Sequence, residues 1–594
     1  MRELWRAELL RFRTWAIAAA IVHLAVLGFF ARLVDPLQQP DFVHAIVAGV
    51  YFVAGLLLGL YQMGSYRRPN AWLNLLHRPL PPGRIVAALS LAAGALLCLA
   101  VLLPLALLVL GQWAWTARVV DLRHAALPLA AGMIATGGYL AGAIAMLSTR
   151  RVAAFALVPP ALWFASQASG AWALAMQALV LLWLAAWLRV VFKPDLTAPP
   201  RTAAGQVLAA VPLAFGAYVL LVMASLGYQL GWMVVGNHPL NGTPPEGGYV
   251  QASRAESGEL LLAGLAGSGH AQAPLWRQQV PLSHLVSIAP EVTAYPVAHA
   301  LTNPALAEFD DPENRRRYTF SHDAGRFLGV NPVNREREGV LGIGEKQLRF
   351  PAPPLLLGDG LMATAQALYR YDSDRQQVDV VLELPPTETL AASPAVTGEA
   401  VMVLSDQALY LYDARAFRAG TGPLAPRQRL PLPLEGARLA RIDLMELIDG
   451  ELVSITVGRG SIDGPGEAWQ SVWHWPADGT PEQVARRELA PDFPLLLRHY
   501  EWWVSPLLRH ARLALVQLFA ADNPLQAGGP DQRPVAAWLA AGLAALFAAV
   551  GSLAWGHRQV LGRRARAAWV LACLLVGLPG LLAQWLLYPR RDHA

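Results

Sequence analysis

The side chains best suited to chemistry in this sequence are few and scattered. His23 and His44 stand inside long apolar runs, where a charge is costly. Each predicts either a point on a proton or ion pathway or a neutral ring hydrogen-bonded to a neighbouring helix. Glu308, Asp310, Asp311 and Glu313 cluster in one short stretch but lack the glycine and ligand spacing of a calcium-binding EF-hand loop, so they read as a solvated acidic turn. Asp372, Asp374 and Asp413 read as turn residues between strands. No Gly-x-x-x-x-Gly-Lys-Ser/Thr run occurs, and neither Lys193 nor Lys346 follows a glycine-rich turn. His-Glu-x-x-His and a Gly-x-Ser-x-Gly elbow are missing as well. The residues therefore predict no catalytic centre, no metal and no cofactor, and any ATP must be hydrolysed by another chain.

The elements that would carry these side chains are dominated by lipid-compatible segments. Hydrophobic residues make up 55% of the 594 and charged residues only 15%, a balance that places most of the apolar surface against a bilayer. The net charge of +5 is thinly spread, with no basic run interleaved with aromatics, so a nucleic-acid partner is not expected. Cys98 and Cys573 both fall in apolar runs, which leaves no disulfide framework for a polar domain. Runs long enough to cross a bilayer recur at 15–34, 42–63, 85–111, 125–147 and 207–235, then at 535–555 and 567–588. The stretch 152–192 reads as two further helices, the first kinked at Pro159 and Pro160. The expectation is an α-helical polytopic membrane protein with about nine transmembrane helices.

Arginines fix an expected orientation, because basic residues in short loops stay on the cytoplasmic side. With the N-terminus inside, the cytoplasmic segments hold Arg2, Arg6, Arg11, Arg13, Arg67, Arg68, Arg78, Arg84, Arg150, Arg151, Lys193, Arg201 and the group Arg558, Arg563, Arg564 and Arg566. Opposite loops carry only Arg32, Arg118, Arg123, Arg590 and Arg591. The interval 237–493 then lies outside the cytoplasm, which in a bacterial inner membrane means the periplasm.

That interval alternates apolar and polar residues with a period of two and predicts an all-β domain. It also repeats: Gln366-Ala-Leu-Tyr-Arg-Tyr-Asp372 recurs 41 residues later as Gln407-Ala-Leu-Tyr-Leu-Tyr-Asp413. Weaker copies stand at 325–331 and 470–476. A period of roughly 40 residues with several strands each suggests a propeller-like domain, with unrelated hairpins in a β-sandwich as the competing reading. The expected organisation is an interfacial helix at 1–14, a membrane block at 15–236 with a cytoplasmic loop at 64–84, the β domain at 237–493, an interfacial helix and linker at 494–533, and two last spans at 534–594.

Within the 64–84 loop, Pro69 and Asn70 start a short helix carrying Trp72, Leu73 and Leu76 on one side, and Pro79 stops it. Read alone, this is a surface for a soluble partner or a helix resting on lipid headgroups. The run Leu75-Leu76-His77-Arg78-Pro79-Leu80-Pro81-Pro82-Gly83-Arg84-Ile85 resembles the cytoplasmic loop of type-2 ATP-binding-cassette (ABC) exporter permeases, and Met1 to Thr14 is similar to that family's N-terminal interfacial helix. The resemblance covers about the first six spans. It implies that Trp72, Leu73, Leu76, Arg78, Pro79 and Arg84 form a coupling helix for a separate ABC ATPase subunit, and that two membrane blocks pair. Spans seven to nine and the β domain lie outside the family's usual unit. The expected function is the permease subunit of an ATP-driven exporter, with membrane lipids and a periplasmic protein as further partners. A membrane-anchored β-domain receptor or scaffold is the alternative. A quinoprotein-like oxidoreductase is disfavoured by the missing cysteine pair and metal ligands.

Overall fold

The computed structural model describes residues 1–148, 170–196, 202–292, 294–420, 422–432, 439–458, 468–477, 479–517 and 533–588, together with residues 155, 157, 158, 160, 199, 200, 464 and 465. Among the described residues, seven helices are long and apolar enough to cross a membrane. They are α1 (Arg2–Leu33), α2 (Asp41–Tyr66), α4 (Pro82–Trp115), α5 (Leu122–Leu147), α6 (Gly170–Val191), α7 (Ala203–Val235) and α11 (Val535–Arg558), with the short helix α3 (Pro69–Leu76) between α2 and α4. The first of the two spans expected in 152–192 falls mostly outside the described residues. The expected last span is two consecutive helices, α12 (Arg563–Val576) and α13 (Leu578–Leu587), broken where Gly577 takes a positive φ. No separate interfacial helix exists at 1–14. Leu4, Glu8, Phe12 and Ala16, one turn apart, form a single buried stripe, and α1 runs through without a break.

Two features hold the membrane block together, and both follow from the absence of water. Lipid is as apolar as leucine, so helices gain little by burying large side chains and associate where small residues let backbones touch. Gly55 and Gly59 of α2 meet Gly138 and Gly142 of α5 in this way: a Cβ on Gly55 would lie 1.8 Å from the Ala135 carbonyl oxygen, and one on Gly138 would lie 2.1 Å from that of Phe52. The second feature concerns proline, which lacks the N–H that should bond the carbonyl four residues earlier. Pro104 in α4 frees the Ala100 carbonyl, the helix widens to a π-turn over Cys98–Leu102, and the His23 ring of α1 lies 3.0 Å from that oxygen. Pro212 in α7 frees the Leu208 carbonyl, which accepts from Trp183 Nε1 of α6 at 3.2 Å. Side chains from neighbouring helices thus supply what the broken ladders lack.

The extra-membrane part opens with three helices, α8 (Tyr249–Arg254), α9 (Ser257–Leu265) and α10 (Ala273–Gln279), before the strands begin. Four antiparallel sheets follow. The first holds β2 (Glu308–Asp311), β3 (Arg316–Ser321), β4 (Arg326–Val330) and β5 (Arg337–Leu341). The second is β6 (Leu355–Gly358), β7 (Leu361–Ala363), β8 (Ala367–Asp372) and β9 (Gln377–Glu383), and the third is β10 (Ala395–Val396), β11 (Ala400–Leu404), β12 (Ala408–Asp413) and β13 (Gln428–Pro431). In the fourth, β1 (Leu285–Ile288) lies beside β14 (Leu439–Leu447), followed by β15 (Gly450–Val457), β16 (Trp469–Pro476) and β17 (Glu482–Glu488).

The repeat marks the same place in each unit. Tyr369 lies on β8 and Tyr410 on β12, the next-to-last strands of their sheets, and the weaker copies fall on β4 and β16, which are next to last in theirs. Tyr369 packs toward the first sheet and Tyr410 toward the second, as the shared frame requires.

The sheets stack in series and do not close into a propeller or barrel. Phe320 and Phe327 pack on Met362 and Tyr369, Leu368 on Val401 and Val403, and Leu409 and Leu411 on Ile442 and Val453. On the far side of the fourth sheet, Met445, Leu452 and Val472 lie under Leu261, Leu265 and Trp276 of α9 and α10. Those helices occupy the face that a closing neighbour would need, which is how the ends of stacked repeats are capped. Tyr500–Val504 and Pro506–Gln517 return the chain toward α11, where Trp502 meets Trp538 at 4.9 Å between ring centroids.

Candidate functional site

The helix ends sort into two groups. At one end, the first residues of α2 and α5 touch the β domain: Asp41 N donates to the Asn303 carbonyl, ahead of β2, at 2.8 Å, and Leu122 N to Asp323 Oδ2, in the β3–β4 turn, at 2.7 Å. At the other, α2 and α5 finish together, with Arg67 donating to the Met146 carbonyl at 2.9 Å, and α3 packs against the end of α6. The β domain and α3 therefore occupy opposite ends of the membrane block, and the basic residues at 2–13, 67–84, 189 and 558–566 gather at the α3 end.

The α3 end is where the expected coupling residues lie, and they divide. Trp72 is buried: its ring stacks on Phe192 at 5.0 Å and its Nε1 donates to the Pro194 carbonyl at 3.3 Å. Leu75 is buried beside it, and Leu76 is half-buried against the same core, next to Leu4 and Met63. Leu73 is 53% exposed, and Arg78, Pro79 and Arg84 are exposed as well. Trp72 and Leu76 thus anchor the helix, leaving Leu73 and the flanking arginines as the surface it offers. Behind the anchor, Glu8 accepts from Gln62 Nε2 at 2.7 Å and from the Tyr66 hydroxyl at 2.5 Å, and the Tyr139 hydroxyl donates to Gln62 Oε1 at 2.8 Å. This buried network ties α1, α2 and α5 together. Its sequence signal is an acid at a helix-face position one turn from Leu4 and Phe12.

His23 is accounted for by its neighbours. The Ala100 carbonyl can only accept, so Nδ1 carries the proton, and Nε2, 3.0 Å from the Tyr51 hydroxyl, accepts. That is a neutral, satisfied ring. His44 lies three residues into α2, half-buried. The two histidines sit at different depths and share no contact. The acidic cluster is divided between turns and pairing: Asp310 accepts a forked pair of bonds from Arg317 at 2.6 and 2.8 Å. Asp311 binds Ser373, Asn314 and the Tyr371 hydroxyl, linking the first sheet to the second.

The junction was not anticipated from sequence. Asp121 accepts from the Ser321 hydroxyl at 2.6 Å and the His322 amide at 3.0 Å. Arg123 donates to the Ala300 carbonyl at 3.1 Å and to Gln38 Oε1 at 2.8 Å. All of these side chains are buried. Burial opposes the charge on Asp121, but the bonds from Ser321 and His322 and the nearby Arg123 outweigh it and hold its carboxyl below the usual range. Burial, reinforced by Arg123, pushes His322 down to about 3, so its ring is neutral. Each of these residues is single and polar in a loop, which no periodic pattern flags.

Beside the junction a cleft of about 950 Å³ opens where α1 and α4 end under the first sheet. The chain is thus a multi-pass membrane protein with a β domain docked on one end of its helices. No family model, curated protein or solved structure matches it.

Proposed function

We propose that this chain is the membrane-spanning subunit of an ATP-driven exporter of the ABC type, powered by a separate ATPase subunit that docks on α3. The observation that carries the reading is the division of α3: Trp72 and Leu75 clamp it to the helix block while Leu73, Arg78 and Arg84 are presented outward. A helix merely resting on headgroups would turn its tryptophan toward lipid. A helix that transmits force needs the rigid attachment seen here. In this reading the α3 end faces the cytoplasm of a bacterium, the β domain stands in the periplasm, and two membrane blocks pair around the substrate path.

The test is recovery of a nucleotide-binding subunit with the purified chain, from cells that also express the neighbouring genes. Leu73→Asp together with Arg78→Glu changes only exposed side chains, so the variant should keep the wild-type melting temperature and lose the ATPase. Truncating such interface anchors typically costs roughly 2 kcal/mol or more each. Wild-type protein that brings down no ATPase would replace this reading with that of a membrane-anchored receptor or scaffold.

A further inference from the structure

The cleft beside the junction is the uncapped end of the β stack. The far end is closed by α9 and α10, whereas the outer face of the first sheet turns toward the ends of α1 and α4 and leaves about 950 Å³ between them. That lies within the range of about 300–1,000 Å³ typical of small-molecule sites. Strand alternation decides what faces the space: Tyr318 and Phe320 point into the stack, so Arg317 and Thr319 point into the cleft, and Glu308 joins them from β2.

Its depth is set by the helix ends. Leu33 is 65% exposed and Trp115 86% exposed at the last turns of α1 and α4, where aromatic and apolar side chains meet the headgroup layer of a bilayer. The charges inside are of both signs and only partly spent. Arg118 donates to the Ala31 and Val34 carbonyls and lies 3.9 Å from Asp35, and Arg317 is held by Asp310. Arg32 and Arg335 have no carboxylate partner among the described residues. Burial raises Glu308 and Asp35 above the usual carboxylate range, and the arginines near them, Arg317 and Arg118, only partly offset it. Gln112 is only 4% exposed, and although its amide faces Asp35, neither polar atom has a hydrogen bond of normal geometry. A buried amide in that state costs free energy until something bonds it.

We propose that this cleft binds the headgroup of a zwitterionic aminophospholipid, with its phosphate at Arg32 and Arg335, its ammonium at Glu308 and Asp35, and Gln112 bonded to its ester or phosphate oxygens. The acyl chains leave past Leu33 and Trp115 into the adjoining leaflet. An anionic headgroup would satisfy the arginines but bring no cation to Glu308 and Asp35 and add a negative charge beside them, which makes the mixed charge selective. The site is independent of the ATPase reading, since it needs only a membrane protein with this junction.

The experiment is native mass spectrometry of the full chain in detergent, titrated with dioleoylphosphatidylethanolamine, dioleoylphosphatidylglycerol and the water-soluble glycerophosphoethanolamine. The amine lipid should be retained at least about tenfold better than the anionic one, and the soluble headgroup should not be retained at the same concentration. Glu308→Gln should bring the two lipids to parity, and Arg32→Gln with Arg335→Gln should weaken both. Gln112→Leu removes a buried amide that makes no hydrogen bond of normal geometry, so it should lower amine-lipid retention while shifting the melting temperature little, which separates loss of binding from loss of fold. Equal retention of both lipids by the wild type would show annular lipid only, and retention of the soluble headgroup as strong as that of the lipid would exclude a bilayer source. Unchanged selectivity in Glu308→Gln would also overturn the site.

Discussion

The membrane block and the β stack are built on opposite rules. Between α2 and α5 the contact is backbone on backbone, opened by Gly55, Gly59, Gly138 and Gly142, because apolar side chains gain little by leaving lipid. Between the first two sheets the contact is made by Phe320, Phe327, Phe350 and Tyr369, with ring centroids 5.2 to 5.9 Å apart, because in water each buried ring removes a large apolar area from solvent. The same contrast governs polar groups. The stack satisfies its backbone through strand ladders, whereas the membrane block enlists His23 and Trp183 to answer two prolines. What stabilises each region is therefore dictated by its solvent, and each should fail under a different kind of substitution.

The largest effect is expected at the glycine contact. Gly138→Leu would drive a side chain into the Phe52 carbonyl and should abolish the folded membrane block, seen as loss of monodisperse protein in size-exclusion chromatography. Gly94→Leu, at a position with nothing within 4 Å, should leave it intact. Equal tolerance of both would refute the backbone-contact account. In the stack the sensitive direction is reversed: Phe327→Ala should cost about 3–5 kcal/mol, measured by chemical denaturation of the β domain, with the membrane helices retained.

Smaller effects should separate junction from stack by pH. His322, held neutral with its pKa near 3, gains protons only when the junction opens, so docking should weaken as pH falls from 6.5. Protection factors at residues 299–303, taken relative to the intrinsic exchange rate at each pH, should fall at pH 5 relative to pH 7, and Asp121→Asn should lower them at both. Glu451 has the opposite sign. Burial, with Glu446 directly across the strand pair, pushes its carboxyl up to about 7. The unfolded chain releases that proton from about 4.5 upward, so the fourth sheet should lose stability between pH 4.5 and 7, and Glu451→Gln should flatten that slope in a thermal melt.

How much of this was legible depends on whether a feature repeats. Long apolar runs and the recurring Gln-Ala-Leu-Tyr frame are periodic, and they located most of the long helices and the equivalent strands β8 and β12. The open stack was not legible, because what prevents closure is the pair α9 and α10, and nothing in their sequence says they cover Met445 and Leu452. In α3 the helix itself was readable from Pro69 and Pro79, but its facing was not. Trp72 turns inward because Phe192, more than a hundred residues away, offers it a ring. The small-residue pairs at 55 and 59 and at 138 and 142 were visible as Gly-x-x-x-Gly, a signal that the hydropathy of the runs overshadows. Asp121, Arg123 and His322 become a site only when two loops meet, and no local pattern encodes that meeting.

The central claim is that α3 and the β domain occupy opposite ends of the membrane block and so opposite sides of the bilayer. In a background with Cys98 and Cys573 replaced by alanine, single cysteines at His77, Gln559 and Asp374 can be tested with a membrane-impermeant thiol reagent on intact cells. The account predicts labelling at position 374 alone, with 77 and 559 reacting only after lysis. Labelling at 77 or 559 in intact cells to the same extent as at 374 would contradict it.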